Sequence, residues 1–177
     1  MEYLFIFSPG LSFNGEFKKN ILHNNDNIYI GGSDRLLSAS IIINKYNNIV
    51  LVGGDTCKIN CMESFLTKNN PNCNVIQLIS NPNTEGNILA IKKYLKINNI
   101  TKGIYFLSNI YHFTRILTYY FYNNNSPDIN LLFAEEILQD NNMVSDVNYS
   151  KELIYRYKSE YKGLKQYLIN NSRIKYY

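Results

Sequence analysis

Five short apolar runs, at residues 3–8, 48–52, 74–79, 103–107 and 129–134, alternate with segments of helical length. No other feature constrains the fold as tightly. Runs of that size, bounded by Gly, Pro and Asn, read as buried strands. Strands separated by crossover helices pair in parallel, and a parallel sheet must be covered on both faces. The first run closes at Pro9-Gly10 and the second at Gly53-Gly54-Asp55. Helices are predicted over residues 35–45, 60–68, from Asn83 to about 97, over 110–122 and over 151–168, with a short one near 16–22. Ser33 or Asp34 is the expected cap of the first of these, and Leu36, Leu37, Ser40, Ile41 and Ile43 its inward positions. Ile88, Ile91, Tyr94 and Leu95 face inward from the helix after Asn83, and the stripe Leu153, Tyr157, Tyr161, Leu164, Leu168 does so in the last helix. No repeat or linker breaks the pattern, so residues 1–177 form one α/β domain with a mainly parallel sheet of about five strands.

Composition closes off several alternatives. Hydrophobic residues make up 45% of the chain, too many for a disordered one, and no apolar run approaches a membrane-spanning length. The opening residues lack a basic n-region and a small-residue cleavage site, so no signal peptide is expected. Three cysteines, Cys57, Cys61 and Cys73, are too few for a disulfide scaffold and point to a reducing cytoplasm. Cys57 and Cys61 share a helical spacing, but no His or third Cys at zinc spacing completes a metal set. A net charge of +4 suits an anionic ligand without amounting to a nucleic-acid footprint. Asn supplies about one residue in six. The runs Asn24-Asn25, Asn69-Asn70 and Asn123–Asn125 fall between elements, where Asn suits turns.

In an open parallel sheet, ligands bind beyond the carboxyl ends of the strands. Those ends carry the polar and Gly-rich spots of this chain: Ser8-Pro9-Gly10, Gly53-Gly54-Asp55, Asn83-Thr84-Glu85-Gly86-Asn87 and Ser108-Asn109-Ile110-Tyr111-His112, with Arg115 one turn on. Gly53-Gly54 serves either as a plain strand-to-loop turn or as a close approach of backbone N–H groups to an anion. Neither a dinucleotide fingerprint nor a P-loop occurs. No G-x-S-x-G elbow supports a Ser–His–Asp hydrolase. His112 and Arg115 lie near one face of a helix whose first turn offers free N–H groups, an arrangement suited to holding an anion. His112 reads as ligand donor, general acid/base or partly buried structural imidazole. Thr84, Glu85 and Asn87 start another helix, and Glu63 lies on the helix after Asp55. The basic, Tyr-rich tail from Arg173 reads as a frayed terminus before a nucleic-acid stacking surface.

The ordered set Asp34-Arg35-Leu36-Leu37, Val52-Gly53-Gly54-Asp55, Glu63, Asn83-Thr84-Glu85-Gly86-Asn87-Ile88 and Ser108-Asn109-Ile110-Tyr111-His112-Phe113-Thr114-Arg115 resembles the YdcF/SanA/ElyC-like family, a bacterial domain of largely unknown function. The resemblance covers roughly residues 3–132, and its most specific part is Ser-x-x-Tyr-His-x-x-Arg. It implies a Rossmann-like three-layer α/β/α domain. It also implies a cleft lined by Gly53, Gly54, Glu63, Thr84, Asn87, Tyr111, His112 and Arg115. Gly86 stands where the family has Glu before the Asn. The carboxylate of Glu85 therefore projects about 100° away around the helix. The stretch to Gly10 also lacks the family's Gly-rich sequence after the first strand. The chain looks more like the soluble members, for which S-adenosylmethionine binding is suggested, than like those with membrane segments and envelope roles.

Two functions are expected on this footing. The first is an enzyme acting on a phosphate-bearing or nucleotide-like small molecule. Gly53, Gly54, Asp55, Ser108 and Asn109 would line the anion site, with Arg115 and Arg35 neutralising charge. His112 would be acid/base, and Glu63 or Glu85 would orient it or the substrate. The second is a sensor for S-adenosylmethionine or a nucleotide, without turnover. Mg²⁺ carried on a bound phosphate is open to Asp55, Glu63 and Glu85. RNA binding through the last helix ranks a distant third.

Overall fold

The structure is a computed structural model. It describes residues 1–8, 32–122, 126–143, 158, 160–162, 164 and 165. The Pro9-Gly10 turn, the short helix expected near 16–22, most of the helix expected over 151–168 and the Tyr-rich tail lie outside the described residues.

All five expected strands form: β1 (Tyr3–Phe7), β2 (Asn48–Gly53), β3 (Val75–Ile79), β4 (Ile104–Ser108) and β5 (Asn130–Phe133). They build one sheet in the order β3-β2-β1-β4-β5, every pair parallel. This is a Rossmann-like order, in which the winding reverses between β1 and β4 and leaves a crevice at their carboxyl ends. The register is continuous across that point, with Ile6 opposite both Leu51 and Leu107.

Strand alternation sends successive side chains to opposite layers. Leu4, Ile6, Leu51 and Leu107 join the layer of α1 (Gly32–Ile42), α2 (Thr56–Asn69) and α5 (Ala134–Asp140). Phe5, Phe7, Val52 and Phe106 join the layer of α3 (Thr84–Ile97) and α4 (Ile110–Phe121). The second layer is largely aromatic: Phe5 and Phe7 meet Phe106 edge to face at 5.7 and 5.4 Å, and Phe106 meets Tyr120 at 5.1 Å. Such pairs each add about 0.5–1.5 kcal/mol beyond area burial.

Local chemistry sets the element ends. The Asp55 carboxylate accepts from the Cys57 and Lys58 amides at 2.9 and 3.4 Å, so α2 starts four residues before the expected 60. Asn83 caps α3 as expected, accepting the Gly86 amide at 2.6 Å. The first helix departs from expectation. It begins at Gly32 and ends at Ile42 in a 3₁₀ turn over Ile43–Lys45. Asp34 is then inside the helix and fully buried, not its cap, and Ile41 is exposed where Ile42 is buried. Helix α5 was not expected. It follows β5 without a turn residue, so no punctuation marks its start.

Candidate functional site

The carboxyl ends of β1 and β4 meet a buried polar network drawn from four elements. Asn109 is its hub, fully buried between β4 and α4. Its Oδ1 accepts from Arg35 Nε at 2.7 Å, and its Nδ2 donates to Glu135 Oε1 at 2.8 Å and to Asp34 Oδ2 at 3.3 Å. Asn109 occupies the N-cap position of α4 without capping it. Glu135 supplies the cap instead, its Oε2 accepting the Ile110 amide at 2.9 Å. A carboxylate at a helix N-terminus meets free N–H groups and the positive dipole end. Burial nonetheless outweighs these bonds and pushes the Glu135 carboxyl above its ordinary value.

Arg35 spans from α1 across the top of the sheet. Besides Asn109, its Nη1 donates to the Ser8 and Phe7 carbonyls at 3.1 and 3.4 Å, and its Nη2 lies 3.3 Å from His112 Nδ1. The guanidinium is thus spent on the strand end and on the imidazole, and only 5% of the residue is exposed. Arg35, expected as a neutralising charge, here makes its contacts within the protein and lies against His112.

The tautomer of His112 follows from its partners. A guanidinium only donates, so Nδ1 accepts and the ring proton is assigned to Nε2. Nε2 lies 3.4 Å from Thr84 Oγ1 at the first turn of α3. Burial first, then the Arg35 and Arg115 guanidiniums, hold the imidazole pKa well below its ordinary value. His112 is therefore neutral at physiological pH.

Arg115, one turn along α4, is 29% exposed at its side chain. Glu160 binds it with both carboxylate oxygens: Nη2 donates to Oε1 at 3.1 Å, and Nε lies 3.0 Å from Oε2. Glu160 Oε1 also stands 3.8 Å from His112 Nδ1. An oxyanion group thus already sits against Arg115 beside the imidazole. Ser108 Oγ, at the end of β4, is buried and has no hydrogen-bond partner among the described residues.

The remaining expected residues fall elsewhere or play other parts. Thr84 and Asn87 are buried at the start of α3, where Asn87 Oδ1 accepts from Ser80 Oγ at 2.5 Å. Tyr111 is buried in the first turn of α4. Glu63 hydrogen-bonds Gln77 in the middle of edge strand β3, on the α1/α2 layer, and is not brought to His112. Glu85 is exposed and turns away from Thr84 into a groove along α3. Asp55 is spent on the start of α2. These three carboxylates do not converge on a phosphate-borne cation. Among the described residues, no group of three or more His, Cys, Asp or Glu could hold a metal ion.

The Gly pair answers a space constraint. A Cβ on Gly53 would lie 2.7 Å from Ser8 Cβ, and one on Gly54 only 2.2 Å from Pro82 Cα. The end of β2 is wedged between two neighbouring loops, which favours the turn reading over an open anion cradle. Gly86 is similar: a Cβ there would meet Asn81 Cβ at 2.5 Å. A Glu in that place does not fit this chain.

Three network members were missed in the sequence: Asp34, Glu135 and Glu160. Asp34 carried a signal read as a cap, and Glu135 stands beside Glu136 in what looks like an ordinary acidic first turn. Glu160 carried none. No helix among the described residues is long and apolar enough to cross a membrane. Comparison of the chain with family models, curated proteins and solved structures finds no match in any of the three.

Proposed function

We propose that the chain binds a phosphate-bearing or nucleotide-like small molecule at the carboxyl edge of its sheet and acts on it as an enzyme, with Arg115 as anion partner and His112 as acid/base. The observation that carries this reading is the Glu160 carboxylate seated on Arg115 beside His112 Nδ1. A phosphate oxygen has the same charge-assisted requirements as that carboxylate. Ser108 Oγ, at the same strand end, has no hydrogen-bond partner among the described residues, and Thr84 Oγ1 faces the proton-bearing nitrogen of the ring at 3.4 Å. A bound dianion would offset the two guanidiniums and raise the imidazole pKa toward neutrality, so proton transfer is coupled to binding. The resemblance to the YdcF/SanA/ElyC-like family points to the same edge of the sheet, with S-adenosylmethionine among the candidate ligands.

One observation favours the second reading, a sensor without turnover. His112 Nδ1, the nitrogen free of a proton, already accepts from Arg35. An imidazole held in that way is a better fixed hydrogen-bonding group than a base. A thermal-shift screen with inorganic phosphate, nucleotides and S-adenosylmethionine, followed by mass analysis of the recovered compound, separates the readings. In the enzyme, His112→Ala abolishes turnover and keeps most binding, while Arg115→Ala weakens binding. A stabilising compound recovered unchanged after long incubation supports the sensor. Wild-type behaviour of both variants would sink the site itself.

A further inference from the structure

A second concavity lies over the α3/α4 pair, chiefly toward the carboxyl ends of both helices and away from His112. Its volume is about 510 Å³, which suits a small molecule. Ile88, Leu89, Leu95, Tyr119 and Tyr122 give it a mainly apolar wall. Leu89 and Tyr122 are each 60% exposed. Lys92 projects into this wall. Its Nζ lies 3.4 Å from the Tyr119 carbonyl and 5.4 Å from the Tyr120 ring centroid, and it makes no ion pair among the described residues. Partial burial lowers its pKa. Lys96, one turn along α3, lines the same wall, whereas Glu85 stands two turns away at the other end.

We propose that this groove binds a small amphipathic anion, its aliphatic or aromatic body on the apolar wall and its single anionic head on Lys92 and Lys96. Charge complementarity selects that occupant. A carboxylate, sulfonate or phosphate head supplies a counter-ion for Lys92, which makes no ion pair among the described residues. A cationic head would face two ammoniums, and a neutral ligand would bury Lys92 further with no compensation. The site is independent of the strand-end network and of its function.

The test is calorimetric titration of octanoate, below its micelle concentration, into the full chain, with 1-octanol as the uncharged control. Saturable one-to-one binding of octanoate is expected, at least about tenfold tighter than octanol. Lys92→Met should weaken octanoate about tenfold, Lys92→Arg should retain it, and Arg115→Met should leave it unchanged. Equal binding of octanoate and octanol, no binding of octanoate, an unaffected Lys92→Met variant, or loss of binding in Arg115→Met would each overturn the proposal. If Lys92→Met does not fold, the exposed Lys96→Met decides: weakened octanoate binding supports the site and unchanged binding refutes it.

Discussion

Replacing Arg35 by Met keeps an unbranched apolar stem and removes the guanidinium with its charge. Four acceptors lose their donor: Asn109 Oδ1 at 2.7 Å, the Ser8 carbonyl at 3.1 Å, His112 Nδ1 at 3.3 Å and the Phe7 carbonyl at 3.4 Å. The two shorter bonds are charge-assisted, one buried and one partly buried, each worth about 1.5–3 kcal/mol, and the longer ones add little. Asp34 and Glu135, tied to the guanidinium through Asn109, also lose a nearby cation in a dry setting. Removing one partner from a buried charged set costs about 3–5 kcal/mol, and the bonds overlap, so that range is the expected total. For a chain of this size it corresponds to a fall in Tm of about 6–20 °C. Urea unfolding followed by far-UV circular dichroism measures it. A second readout separates this role from a loss of packing. Arg35 depresses the His112 pKa, after burial itself, so the variant's imidazole should titrate at a higher pH than the wild type's. The chain has 2 histidines, so a His23→Gln background leaves His112 as the single imidazole to follow by NMR. A variant within about 1 kcal/mol of wild type, with an unmoved His112 titration, would refute the positioning role of Arg35.

Other outcomes follow from the same geometry. Because the folded-state pKa of His112 lies below 6.5, the unfolded chain binds the proton more readily. Relative to His112→Gln, the wild type should therefore hold its full stability above about pH 6.5 and lose it as pH falls below that value, as read by urea midpoints across pH 4.5–7.5; a flat difference would contradict the buried neutral imidazole. Gly54→Ala drives a Cβ to 2.2 Å from Pro82 Cα and should cost at least about 2 kcal/mol by urea unfolding. Gly86→Glu should lower Tm because of the contact with Asn81, and a Tm at or above wild type would show that this loop yields. Glu160→Gln removes the competing carboxylate from Arg115 and should tighten inorganic phosphate binding several-fold in calorimetry.

The strand-and-helix alternation made the layers legible because β1, β2 and β4 are buried on both faces and read as nearly unbroken apolar sequence. Caps made of neighbouring residues, such as Asn83 with Gly86, were legible for the same local reason. The network around Asn109 was not. Its partners lie 74, 75 and 26 residues away in Arg35, Asp34 and Glu135, and no periodicity reports a contact between elements that only the sheet brings together. Arg35 and Asn109 stand out in the sequence as polar residues near strand ends, but not as partners of each other. An arginine expected to face a ligand is consumed by backbone carbonyls, and an asparagine expected to start a helix leaves that task to Glu135. Glu63 shows the opposite failure. A family position suggested the site, but its place midway along α2 puts it beside the edge strand.

The proposed site requires that an anion replace the Glu160 carboxylate between Arg115 and His112. The decisive experiment is titration of inorganic phosphate into the His23→Gln chain, with the His112 imidazole followed by NMR across pH. Saturable binding with a rise in the His112 pKa, both lost in Arg115→Met, is the predicted result. A His112 titration that phosphate leaves unmoved at millimolar concentration would contradict it.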